Sequence, residues 1–158
     1  MAAILFVCLG NICRSPLAEG ILSRKAQEAG IELRIDSAGI GDWHVGDLPD
    51  HRAIKEGHSR GCDMSMRARQ FRTQDFEEFD WIIAMDLANV QALNRWPGSR
   101  PKIRLARSFD KSATGLEVPD PYYGTKDNFV QVADMLEVAC DGILKELADS
   151  EELVSFVA

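Results

Sequence analysis

At 158 residues the chain suits one domain around a single sizeable core, and its 46% apolar and 27% charged composition excludes disordered, collagenous and coiled-coil classes. A net charge of −7 argues against nucleic acid as a partner, because phosphate contacts need clustered Lys and Arg; any anion must be held by a local field. No apolar run approaches a membrane span and no charged leader precedes a signal-like stretch, so a cytoplasmic protein without a membrane partner is expected, its four cysteines, Cys8, Cys13, Cys62 and Cys140, present as thiols.

The first predicted element is a strand, "AILFV", followed by a helix over "PLAEGILSRKAQEAG" with Ser15 as N-cap, Pro16 at its first position and Gly30 as its stop. "ELRIDSAG" reads as a second strand. "DHRAIKEGHSRG" is a helix, "RTQDFEEF" a short acidic helix, and "DWIIAM" the third and most apolar strand. "LANVQALNRW" is helical until "PGSRP" stops it, and "KIRLA" is the fourth strand. "SFDKSATGLEVPDPYYG" is irregular, and "TKDNFVQVADMLEVACDGILKELA" closes the chain as a long helix. Strands alternating with helices predict an α/β domain: a four-stranded, parallel, twisted sheet with helices on both faces. Ligands in such sheets bind beyond the carboxyl ends of the strands, where a loop meets a helix N-terminus.

"FVCLGNICRSPLAE" occupies that place. Unpaired N–H groups of the loop and first helical turn make an anion site for inorganic phosphate or another oxyanion, formed by Leu9, Gly10, Asn11, Ile12, Cys13 and Arg14. It is not a Walker loop, since "GNICRS" lacks the lysine after a second glycine. Wound round a tetrahedral anion, the loop lets Arg14 clamp two oxygens while the Cys8 sulfur faces the central atom. Lowering a thiol by about three pH units takes about 4 kcal/mol, and a helix N-terminus gives at most ~2. Arg14, the Ser15 hydroxyl and the loop N–H groups must add the rest. Taken singly, Cys8 reads sooner as the end of a buried strand and Arg14 as decoration of a helix start. The common register of Gly10, Asn11, Ser15 and Pro16 points instead to the anion loop.

Together with "DSAG", "WHVG", "ARQ", "DFEEFDWIIAMD" and "DPYYG", this stretch resembles the low-molecular-weight protein tyrosine phosphatases. The resemblance covers residues 1–148 as one phosphatase domain and leaves 149–158 as a tail of unassigned role. It implies hydrolysis of protein phosphotyrosine and small aryl phosphates through a phosphocysteine, with no metal and no cofactor. Cys8 is then the nucleophile, Arg14 the phosphate clamp and Asp120 the general acid and base. Asn11 holds the loop in a strained turn, and Ser15 assists the thiolate as leaving group. Pro119 and Pro121 flank Asp120 and restrict its backbone, although an aspartate there also fits plain turn chemistry. Trp43, Tyr122 and Tyr123 resemble aromatic walls for the substrate ring; packing beneath the loop is an equal reading for the two tyrosines.

Some relatives of this kind carry a histidine, bonded to the loop asparagine, where "MSMRARQ" has Met66, which leaves Ser37 to brace Asn11. Asp86 resembles a position that supports the active site and reads equally as a helix N-cap. His44, His51 and His58 match no metal spacing and read as scattered surface histidines. Residues five apart on so tight a loop can come within disulfide reach, about 7 Å, so Cys13 is either a resolving thiol for oxidised Cys8 or packing, and the resemblance favours the redox role. Three other readings stand beside the main one. An arsenate reductase wants a closely spaced later cysteine pair that Cys62 and Cys140 do not form. A protein-arginine phosphatase resembles "GNTCRS", where this chain has Ile12. A non-catalytic phosphate-binding module needs neither Cys8 nor Asp120.

Overall fold

Strand β1 (Ala2–Cys8) lies inside the sheet, and in the computed structural model, which describes the backbone of residues 1–157 and the side chains of residues 1–150, Ile4 to Val7 are wholly buried. Their alternation serves two cores. Ile4, Phe6 and Cys8 face one helix layer, with Leu17, Ile21, Phe129 and Leu136. Ala3, Leu5 and Val7 face the other, with Phe71, Phe76, Ile82 and Leu93. A strand buried on both faces reads as an unbroken apolar run, and "AILFV" is one.

Strand β2 (Leu33–Gly39), β3 (Trp81–Ala84) and β4 (Ile103–Leu105) complete a four-stranded parallel sheet in the order β2-β1-β3-β4. Helices α1 (Arg14–Ala29), α2 (His51–Ser59) and α5 (Lys126–Val157) contact one another on one side. Helices α3 (Asp75–Glu78) and α4 (Leu87–Arg95) contribute Phe76 and Leu93 to the other core. The α/β architecture is as expected. Arg24 and Lys25 on α1 share Glu137 on α5 at 2.8 and 2.9 Å, which ties the site-bearing helix to the long closing one.

Three local expectations change. Helix α1 begins at Arg14, with Cys13 ahead of it, so Pro16 stands third and Ser15 is not the cap. Pro16 loses nothing there, since first-turn N–H groups have no intrahelical partner; the Ser15 hydroxyl is taken by the loop. A short 3-10 turn, Ala106–Phe109, enters the stretch expected to be irregular. Helix α5 runs on to Val157, because "DSEELVSFV" has neither Gly nor Pro to stop it. The expected boundary at residue 148 therefore falls within α5, and the side chains of 151–158 lie outside the described residues. Gly30 ends α1 at φ 68, as expected of a left-handed stop. Among the described residues no helix is long and apolar enough to cross a membrane.

Candidate active site

Cys8 pairs in register with Gly39, so the loop after β1 must pass over the end of β2. A Cβ on Gly39 would stand 3.0 to 3.1 Å from the backbone of Gly10, Asn11 and Leu9, so tight that the loop would have to shift by a few tenths of an ångström. Glycine at 39 lets the loop lie down. Three of the loop carbonyls are then tied on its outer side: Cys8 O accepts from Ile40 N, Leu9 O from Gly41 N, and Ile12 O from Asp50 N at 2.8 to 2.9 Å. The N–H groups of Gly10, Asn11, Ile12 and Cys13 donate to no acceptor among the described residues. A loop with its carbonyls tied outward and its N–H groups free is an anion cradle at the start of α1.

Asn11 sets the turn at φ 57, alone among the described non-glycine residues in having a positive φ. Its side chain turns away from the cavity. Nδ2 donates to Ser15 Oγ at 2.8 Å and Ser37 Oγ at 2.9 Å, while Oδ1 accepts from Arg69 N at 3.0 Å. Ser15 Oγ is hydrogen-bonded to Cys8 Sγ at 3.0 Å. The expected Asn11, Ser15 and Ser37 thus sit in one line behind the thiol.

Arg14 is 2% exposed. A buried guanidinium needs partners, and Nη1 donates to Asp86 Oδ2 at 2.6 Å and to Val118 O at 3.0 Å. Burial works against its charge, but Cys8, Asp86 and Asp120 outweigh that and raise its pKa. Asp86 fills both roles read for it, since its Oδ1 also accepts from Asn89 N in a capping box on α4. Asp120 Oδ2 lies 3.7 Å from Arg14 Nη2, and its Oδ1 accepts from Tyr122 N at 3.0 Å.

These groups share a cavity of about 250 Å³ lined by Cys8, Leu9, Gly10, Ile12, Cys13 and Arg14 at its base and by Trp43, His44, Asp120, Tyr122 and Tyr123 above. Tyr122 and Tyr123 stand edge to face at 4.9 Å, and Tyr123 is 96% exposed, so neither packs beneath the loop. Arg52 fixes their loop by donating to Tyr122 O and Gly124 O while Asp50 holds its guanidinium. Trp43 lies against Gly41, where no Cβ would fit. His44 is a correction: it is a cavity wall above Gly10, not a stray surface histidine. Among the described residues no three His, Cys, Asp or Glu gather as metal ligands. Burial, then Asp50, Cys8 and Asp120, pushes the Cys13 thiol far up, so it stays protonated near neutral pH. Cys8 and Cys13 are both free thiols.

Reasoning from the sequence missed His44, Arg52, Glu19 and Arg69. Only His44 had a signal, its place beside Trp43. The others meet the site through chain segments far apart.

A family model described as low molecular weight phosphotyrosine protein phosphatase matches residues 3–153. A putative low molecular weight protein-tyrosine-phosphatase of Synechocystis is 43% identical over 96% of this chain and 99% of its own. The low molecular weight phosphotyrosine protein phosphatase of Schizosaccharomyces pombe is 41% identical over 92% and 96%. The crystal structure of a protein tyrosine phosphatase from Entamoeba histolytica superposes with a TM-score of 0.90 at 39% identity, covering 96% of this chain and 99% of that one.

Proposed function

The chain belongs to the low molecular weight phosphotyrosine protein phosphatase family, whose members are hydrolases, and from that premise we propose that it cleaves protein phosphotyrosine by way of a phosphocysteine on Cys8. The observation that carries this reading is the arrangement of the loop: free N–H groups from Gly10 to Cys13, the Cys8 sulfur and the Arg14 guanidinium all meet one cavity.

In the first step the Cys8 thiolate attacks phosphorus in line. The S–P bond forms, the ester P–O bond breaks, and Asp120 gives its proton to the departing phenol oxygen. The three equatorial oxygens face Arg14 and the loop N–H groups, which are fixed before the reaction begins. In the second step a water attacks phosphorus from the side the phenol left, and the Asp120 carboxylate takes its proton. The S–P bond breaks, and the Ser15 hydroxyl donates to the leaving sulfur across the 3.0 Å between them. The products are phosphate and free enzyme.

Depth selects the substrate class. Cys8 is 3% exposed at the base of a cavity walled by Trp43, His44, Tyr122 and Tyr123. A phenyl ring carries its phosphate to that depth, whereas phosphoserine would have to bring its backbone inside. Ile12, apolar and without a hydroxyl, lines the same cavity and suits an aromatic ester more than a guanidino phosphate. The test is to compare kcat/KM on phosphotyrosine, phosphoserine and phosphoarginine versions of one peptide, beside arsenate reduction. Phosphotyrosine should lead the other two by about 100-fold or more, the scale of a well-formed pocket's discrimination. A lead for phosphoarginine, or arsenate turnover, would overturn the assignment.

A further inference from the structure

Glu19 is an inward-facing acid that neither chemical step uses. From α1 its Oε1 accepts from the Ser37 hydroxyl at 2.6 Å. Ser37 accepts from Asn11, and Asn11 donates also to Ser15, which bonds the Cys8 sulfur, so one unbroken line joins Glu19 to the nucleophile. Its polarity is set at the far end. An ionised carboxylate only accepts. It therefore takes the single hydroxyl hydrogen of Ser37 and leaves that oxygen nothing but lone pairs to offer Asn11. Arg69 N imposes the same amide orientation from the opposite side. Both constraints act on a residue at φ 57, which persists only where its surroundings over-determine it. A protonated Glu19 becomes a donor. The Ser37 hydrogen is then released toward the Asn11 N–H groups, and one of the two constraints is gone.

Nothing balances this charge directly. The charged groups facing Glu19 are Asp36 from β2, Asp63 from the loop after α2 and Arg69 from the segment before α3. Arg69 spends its guanidinium on Asp36 and Asp75. Met66, beside Glu19, brings no charge, and the groove they share with Ser23, Asp63 and Ser65 admits protons from solvent. Burial above all, with Asp36 and Asp63, pushes the Glu19 carboxyl up to about 7 against the pull of Ser37 and Arg69.

We propose that Glu19 is a positioning residue of the reaction: its carboxylate, acting through Ser37, holds Asn11 and with it the phosphate-binding loop in working form, and protonation loosens that hold. The proposal rests on the reading of Cys8 as nucleophile. It also demands a trade. Because the folded-state value lies above the ordinary carboxyl range, ionising Glu19 removes stability as the pH rises toward and through about 7. The charge that organises the loop therefore weakens the fold.

The experiment measures kcat/KM on an aryl phosphate from pH 5.5 to 8.5 for wild type and Glu19→Gln, each also in a Ser37→Ala background, with thermal midpoints at both ends of the range. Ratios of variant to wild type cancel the titration of the substrate. The Glu19→Gln ratio should be near one at pH 5.5 and fall about tenfold by pH 8, the weight of one hydrogen bond to a charged group. The same variant should melt above wild type at pH 8, by a margin that narrows toward pH 5.5 as Glu19 of the folded wild type takes up its proton. In the Ser37→Ala background the ratio should stay near one throughout, and Ser37→Ala alone should show the falling trend against wild type. A Glu19→Gln ratio that does not change with pH overturns the proposal, as does a falling ratio that persists without Ser37. Turnover by Cys8→Ser would overturn the nucleophile reading instead, and these ratios do not depend on that result.

Discussion

Asp120 stands where one carboxyl can serve both halves of the reaction. Its Oδ2 is 3.7 Å from Arg14, so it lies beside the group proposed to clamp phosphate, and its Oδ1 is held by the backbone of Tyr122. Pro119 and Pro121 on either side keep that geometry in a loop without regular structure. Asp120→Asn keeps the shape and the acceptor for Tyr122 but has no proton to give. It should lower kcat by about 10²- to 10⁴-fold on esters with poor leaving groups and much less on those with good ones. Equal losses on both, read from a series of substituted phenyl phosphates, would make Asp120 a structural residue. Cys13 is a residue-scale case of the opposite kind. Its proximity to the loop was legible in the spacing, but burial beneath the charges of Asp50, Cys8 and Asp120 was not, and it makes Cys13 a poor thiolate.

Helix α4 reaches the site through its N-cap. Asp86 caps Asn89 with one oxygen and holds Arg14 with the other, so a helix start and a phosphate clamp share one side chain. The two jobs come apart by substitution. Asn caps about as well as Asp, whereas Ala loses about 1 kcal/mol. Asp86→Asn keeps the cap but turns an amide toward a buried guanidinium. Both variants should lose at least about tenfold in kcat/KM, as expected when a buried charge pair is broken. Chemical denaturation should place Asp86→Ala below Asp86→Asn by about 1 kcal/mol. Full activity in either variant would show that Val118 O alone is enough to hold Arg14. Elements of this kind explain what the sequence could show. β1 was legible because a doubly buried strand is an unbroken apolar run. The start of α1 was misplaced by one or two residues because Ser15, an ideal cap by type, is taken by Cys8 and Asn11.

At the scale of the molecule, a chain with a net charge of −7 can take an anion only where the fold supplies a local field that composition does not, and the free N–H groups of the loop after β1 offer one. Parallel strands bring the ends of β1, β2 and β3 to one edge, where Ser37 holds Asn11 and Asp86 holds Arg14 of the loop that begins at Cys8. Cys8, Arg14 and Asp120, the proposed nucleophile, clamp and acid, could be singled out because each sits in a short motif. Glu19 could not be, for a glutamate on a helix reads as solvated until residues 11, 37 and 69 are folded against it. Arg52 was hidden likewise, and His44 had only its place beside Trp43 to mark it, since walls and loop ties form only when α2, the Trp43 turn and the Tyr122 loop converge. The central claim is that phosphate passes through Cys8. Its most direct measurement is rapid quenching of Asp120→Ala, in which hydrolysis of the intermediate lacks its base, with an aryl phosphate whose phenol is acidic enough to leave without a proton, followed by mass mapping at neutral pH. The account predicts one phosphoryl group on Cys8 in near-stoichiometric amount within the first turnover; phenol release with no phosphate on Cys8, or with phosphate on another residue, would contradict it.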